Sequence, residues 1–217
     1  MSRYETDEEQ WEAIKQWWKE NGKLIVLAAI VGVGAVTGWN MWQQNQYQKA
    51  VLASSTFELL QLKYQQGQFQ EVAREAHKLQ ADYPDSPYAS GATFLLASWL
   101  ATEKQDLKGA IAQLDWVVTH APEAAMKDVA HLRAARLLAD AKQFEQAKAR
   151  LSRVTPANLA PVAKGLYDYM AGEIALFQGE LAQARQAFQA VLDNERADPG
   201  LKQLAQLQLD DLTPIES

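Results

Sequence analysis

Residues 97–122 read ASWLATEKQDLKGAIAQLDWVVTHAP. Leu107 follows a short polar stretch, and apolar or small residues flank it at fixed distances. Ala97 and Leu100 stand ten and seven residues before it, and Ala110, Leu114 and Val117 stand three, seven and ten after it. Those steps approximate multiples of the 3.6-residue helical period, so each set shares one helix face. The stretch therefore predicts two helices joined by a tight turn, with Pro122 closing the second.

The same register recurs along the chain. Phe69, Leu107, Phe144 and Leu181 are spaced by 38, 37 and 37 residues, each after a short polar or Gly turn. Seven residues earlier stand Leu62, Leu100, Leu137 and Ile174, and ten earlier Leu59, Ala97, Ala134 and Ala171. Three residues later come Val72, Ala110, Ala147 and Ala184. Seven later come Ala76, Leu114, Leu151 and Phe188, and ten later Leu79, Val117, Val154 and Val191. One such hairpin cannot bury its own apolar stripe, whereas stacked hairpins share a continuous core. Pro84 and Pro122 close the first two units, and Pro156, Pro161 and Pro199 punctuate the rest. Leu201 to Leu212, with Leu201, Leu204, Leu207 and Leu212 toward the core, is expected to cap the stack.

This pattern resembles the tetratricopeptide repeat, stretched beyond its usual ~34 residues. The turn residue, the Ala that follows it and the Pro near each unit's end match. The usual Gly of the first helix is present only as Gly172, and the Trp-Leu signature is absent. In such a stack the first helices line the concave side, at 15, 12, 8 and 5 residues before the turn residue. Those offsets select Ser54, Phe57, Gln61 and Tyr64, then Ala92, Leu95, Trp99 and Thr102. In the later units they select Val129, Leu132, Arg136 and Ala139, then Leu166, Tyr169, Glu173 and Leu176. The apolar members among them, with Arg136, make up a candidate groove of Phe57, Tyr64, Leu95, Trp99, Leu132, Arg136, Leu166 and Tyr169. An exposed patch of that kind takes a peptide or partner. The alternative is that a tighter superhelix buries some of them, and Trp99 is the residue that decides.

Ahead of the repeats, Leu24 to Trp42 reads LIVLAAIVGVGAVTGWNMW, 19 positions without a charge. As a helix it spans roughly 28 Å, about the thickness of a bilayer's hydrocarbon core. A cleaved signal peptide fits poorly, because the leader is long and acidic, the apolar run is too long, and no small-x-small site follows. A buried core helix would carry polar residues on some face. The residues before the run carry Arg3, Lys15, Lys19 and Lys23, whereas the first 20 after Trp42 carry only Lys49. By the positive-inside rule the amino end stays in the cytoplasm. Trp17 and Trp18 on one side, and Trp39 and Trp42 on the other, are placed like interfacial aromatic belts. Gly34 and Gly38 form a small-xxx-small pair that would admit another transmembrane helix.

The leader has a capping-box sequence, Thr6-Asp7-Glu8-Glu9, and a matching stop at Asn21-Gly22. Between them Trp11, Ile14, Trp17 and Trp18 share one face opposite Asp7, Glu8, Glu12 and Glu20. That face suits either a helix lying in the headgroup layer or a cytosolic docking handle for a partner. The expected organisation is therefore a leader over residues 1–22, a transmembrane helix over 23–43 and an exported repeat domain over 44–217. The fold class is all-α: a single N-terminal transmembrane helix, then an α-solenoid of about four tetratricopeptide-like hairpins with a C-terminal capping helix.

Composition agrees. Part of the 48% hydrophobic content belongs to the apolar run, and the net charge of −6 includes no basic block of the kind that binds nucleic acid. The chain has no cysteine, which excludes disulfides and thiol chemistry and suits an oxidising compartment such as a periplasm. His77, His120 and His131 lack metal-ligand spacing, and no nucleophile elbow or phosphate-cradling Gly loop occurs. Neither an enzyme nor a cofactor is expected.

The leader YETDEEQWEAIKQWWKENGK, the Gly-rich span ending in GWNMW and the degenerate repeats together resemble the YfgM family of bacterial inner-membrane proteins. That resemblance implies an ancillary subunit of the SecYEG translocon, working with a PpiD-like periplasmic chaperone on proteins emerging into the periplasm. It also implies an inhibitory contact between the cytosolic leader and a stress-response regulator. Two readings stand beside each other: a chaperone-like adaptor whose groove takes partner or client segments, and a structural scaffold of an envelope complex with one fixed partner.

Overall fold

The structure is a computed structural model that describes residues 3–212, with the side chains of residues 3–10 and 13 outside the description. It divides into two compact units, Met1–Val51 and Leu52–Ser217. Among the described residues there are nine α-helices and no strand.

The first helix, α1 (Arg3–Gln65), runs through the leader and the apolar run without a break. Asn21-Gly22 is therefore not a helix stop. A glycine stop works by taking the left-handed conformation just past the last turn, and Gly22 does not take it. Instead the Asn21 side-chain amide donates to the Trp17 carbonyl at 3.1 Å, one turn back, and the Trp18 ring packs over Gly22. The helix is already under way at Arg3, ahead of Thr6, and the capping-box side chains lie outside the described residues. Among the described residues α1 is the one helix long and apolar enough to cross a membrane. Its one hydroxyl inside the run, that of Thr37, donates to the Val33 carbonyl at 2.8 Å, so it presents no unmet donor to lipid.

In the second unit, hairpins pair the end of α1 with α2 (Phe69–Asp82), α3 (Pro87–Thr102) with α4 (Leu107–His120), α5 (Ala124–Asp140) with α6 (Phe144–Leu151), and α7 (Pro161–Phe177) with α8 (Leu181–Asp193). The last helix, α9 (Pro199–Asp211), closes the row. Each hairpin turn holds one left-handed residue two positions before the turn residue: Gly67, Gln105, Lys142 and Gly179. In three of them the backbone N–H of the next residue reaches five positions back. Gln68 donates to Lys63, Gln143 to Leu138 and Glu180 to Ala175, at 2.8–3.0 Å. This is the Schellman geometry that satisfies the last carbonyls of a helix.

All twelve positions expected on the second-helix stripes are buried, from Val72 to Val191. Small residues three after the turn (Ala110, Ala147 and Ala184, all fully buried) let the paired helices approach closely. On the first helices the same stripe is better covered wherever a hairpin precedes it. Ala97, Ala134 and Ile174 are buried and Leu100, Leu137 and Ala171 are partly buried, whereas Leu59 and Leu62 at the equivalent places on α1 remain about half exposed, because no hairpin precedes them.

The third unit departs from the pattern. α6 spans only 8 residues, and Pro156 opens a 3₁₀ turn, Pro156–Asn158, where the other second helices would continue. The buried Asp128 carboxylate on α5 holds this irregular segment. It accepts from the Thr155 backbone N–H at 3.1 Å and from the Asn158 side-chain amide at 2.8 Å. On α9 the core face is Leu201, Ala205, Leu209 and Leu212, whereas Leu204 and Leu207 are exposed. The expected stripe was wrong at these two positions, because steps of three drift off a face that repeats every 3.6 residues.

Candidate protein-interaction site

The first helices of the second and third hairpins leave a cleft of about 340 Å³ between them. α3 contributes Phe94, Ala97, Ser98, Ala101 and Thr102; α5 contributes Arg133, Arg136 and Leu137. Leu114 of α4 and Leu166 of α7 complete its lining. The lining is thus mainly hydrocarbon, with two guanidinium groups and short hydroxyls beside it. The Thr102 hydroxyl is already engaged, donating to the Ser98 carbonyl at 3.0 Å.

The two arginines are held differently. Arg136 Nε donates to both carboxylate oxygens of Asp140 at 3.0 and 3.1 Å, one helical turn along, and its guanidinium carbon lies 5.9 Å from the Tyr169 ring. The guanidinium carbon of Arg133 lies 4.5 Å from the centroid of the Phe94 ring, a cation–π contact across the cleft.

The structure brings together only part of the groove expected from spacing. Arg136 and Leu166 line the cleft. Trp99, Leu132 and Tyr169 belong to the core, at 9%, 1% and 3% exposure. Trp99 stacks on Phe69 with centroids 5.9 Å apart, and the Lys104 ammonium lies over its ring. Tyr169 packs against Phe188, and the pKa of its hydroxyl is pushed up to about 12, first by burial and then by the Glu173 carboxylate. Phe57, Tyr64 and Leu95 are half buried against the first hairpins. Phe57 packs beside Tyr88, and Tyr64 meets Phe69 edge-on.

One turn residue explains why the cleft is displaced on α3 from its expected place. The turn after α3 spans four residues, Glu103 to Asp106, whereas the other three hairpin turns span three. Counted back from Leu107, every position on α3 is therefore displaced by one. The helix presents Phe94, Ser98 and Ala101 to the cleft, with Thr102 beside them, where the fixed offsets select Leu95 and Trp99. The turn accounts for α3 alone, since Leu132 and Tyr169 are buried in hairpins with three-residue turns. The spacing of 38 rather than 37 residues ahead of Leu107 was the available signal. Arg133 and Leu137, eleven and seven residues before Phe144, fall outside the four offsets applied.

Elsewhere, Trp11, Ile14, Trp17 and Trp18 are all exposed on α1, and a side chain added at Gly34 or Gly38 would meet nothing within 4 Å. No group of His, Cys, Asp or Glu among the described residues could hold a metal ion. His77 is exposed, His120 stacks on Trp116, and His131 is buried. The burial of His131, followed by the charges of Arg150 and Arg153, holds its ring below the ordinary histidine pKa.

The family model of a tetratricopeptide repeat-like domain matches residues 15–214. The chain is 29% identical over 213 residues to the protein named ancillary SecYEG translocon subunit of Escherichia coli (strain K12), covering 98% of this chain and 100% of that one. It is 30% identical over 184 residues to the protein of that name from Haemophilus influenzae, covering 84% and 87%. A Neisseria gonorrhoeae protein of the same name is 27% identical over 217 residues, covering 98% and 100%. No solved structure matches the chain. With its repeat register, its single apolar helix and these end-to-end matches, the chain belongs to the tetratricopeptide repeat-like family and to the family of ancillary SecYEG translocon subunits.

Proposed function

We propose that this protein is a membrane-tethered, non-enzymatic adaptor of the Sec translocon in the bacterial inner membrane. Residues 1–22 lie in the cytoplasm, 23–43 span the bilayer and 44–217 form the periplasmic repeat domain. The first-helix face of that domain takes segments of a PpiD-like chaperone or of chains emerging from the channel. The observation that carries the reading is the end-to-end match to proteins named as translocon subunits, one apolar helix included. A tether near the exit raises the local concentration of client, so a shallow cleft suffices without tight binding. The exposed Trp11, Ile14, Trp17 and Trp18 face is available to a cytosolic regulator, and Gly34 and Gly38 to a neighbouring transmembrane helix.

The test is affinity purification of the tagged full chain from gently solubilised inner membranes, combined with an alkaline-phosphatase fusion at the carboxyl end. The translocon subunits are expected to co-purify and the fusion to be active. An intact but inactive fusion would overturn the orientation, and a purification free of translocon subunits would overturn the assignment.

A further inference from the structure

The cleft is bordered on one side by the third hairpin, the basic segment of an otherwise acidic domain. Residues 124–153 carry seven Lys or Arg and three Asp or Glu, whereas the rest of the chain after Trp42 carries ten and eighteen. Two of those seven cations are paired: Arg136 with Asp140, and Arg150 with Asp115 through both guanidinium nitrogens. Of the five that have no ion pair among the described residues, Arg133 is the one that lines the cleft. It also has no hydrogen-bond acceptor there, and what positions it is the Phe94 ring. A cation–π contact fixes a guanidinium without using its N–H donors. The result is a placed but unpaired fork of donors beside an apolar cleft, suited to two-pronged recognition of a carboxylate.

We propose that the cleft takes an acidic-apolar peptide segment, with one large aliphatic or aromatic side chain seated between Phe94, Ala101 and Leu166 and a neighbouring Asp or Glu carboxylate on Arg133. This rests on the reading that the first-helix face engages other polypeptides, and it specifies their chemistry. The cleft volume, near the low end of the roughly 300–1,000 Å³ of ligand sites, suits a side chain or two rather than a folded surface. Charge complementarity selects the occupant. A basic or neutral apolar segment fills the same hydrocarbon but leaves Arg133 unpaired, and the basic one adds repulsion from Arg133 itself.

The experiment measures anisotropy of labelled peptides with the full-length protein in detergent micelles. The probes are a short peptide with one Leu flanked by Glu, its twin with Gln for Glu, and its twin with Lys for Glu. The Glu peptide is expected to bind about tenfold more tightly than the Gln twin, and the Lys twin more weakly still. Arg133→Gln should abolish the Glu-over-Gln preference, Arg133→Lys should keep part of it, and Ala101→Trp should remove binding of every probe by filling the cleft. Equal binding of Glu and Gln peptides, no binding of either, or an unchanged preference in Arg133→Gln would overturn the proposal. The same preparations are scored for co-purifying translocon subunits. Co-purification without a Glu preference sinks the peptide chemistry alone, whereas a Glu preference without co-purification sinks the translocon assignment alone.

Discussion

Trp99→Ala is expected to lower the stability of the repeat domain by about 3–5 kcal/mol, the range for truncating a large buried aromatic. The ring is 9% exposed, sits in the first core cluster with Leu60, Val72 and Leu96, and stacks on Phe69. Removing it opens a cavity between the first two hairpins and leaves Phe69 with only its edge-on contact to Tyr64. Trp99→Phe keeps most of the burial and should cost less than half as much. Denaturant unfolding of the full chain in micelles, followed by ellipticity, measures both. Spacing alone predicts the opposite, a residue exposed in the groove whose loss weakens binding with little loss of structure. A Trp99→Ala protein as stable as the parent would restore that reading.

The second large effect concerns Gly172 and Phe188. Gly172 stands on α7 where a Cβ would lie 2.6 Å from Phe188 Cε1, and Phe188 is fully buried. Gly172→Ala gains about 1 kcal/mol of helix propensity but forces the ring out of place in a closed core, an overpacking cost of about 1–3 kcal/mol. The net result is expected to be destabilising. Phe188→Ala alone should cost about 3–5 kcal/mol. The pair should not add: with the ring gone, the methyl group introduced at position 172 fills part of the space, so the double variant is more stable than the sum of the single effects predicts. Additive behaviour in that cycle would mean that α7 and α8 do not meet at this point.

These two sites also show what could be read in advance. The twelve second-helix positions were legible because hydrophobic periodicity and a repeat both specify them, and a stripe that must be buried leaves little freedom. Gly172 stands at the repeat's usual first-helix glycine position, and its reason is the Phe188 ring that packs onto it. The concave face was less legible. Its positions are set by counting from a turn, and one extra turn residue before Leu107 rotates α3 by about 100° relative to the count. On α3 that brings Phe94, Ser98 and Ala101 to the cleft in place of Trp99, but the fixed offsets also select Leu132 and Tyr169, which are buried in hairpins with three-residue turns because the helix face twelve residues before the turn packs into the core there. Asn21-Gly22 misled for another reason. A Gly ends a helix only when the chain takes a left-handed turn there, and here Asn21 bonds back to Trp17 and the helix continues. Arg133 carries no signature in sequence, since its distinction is its place in the cleft lining against Phe94, which is distant in sequence.

The tethered domain is expected to meet other polypeptides through its first-helix cleft. Photocrosslinking in intact inner membranes tests this, with the crosslinking residue placed in the full chain at Ser98, which lines the cleft, or at Ala112, exposed on α4 and outside the cleft lining. Illumination is expected to join the Ser98 derivative to translocon-associated proteins or emerging chains, while the Ala112 derivative gives few such products. Products from Ala112 that equal or exceed those from Ser98 would contradict it.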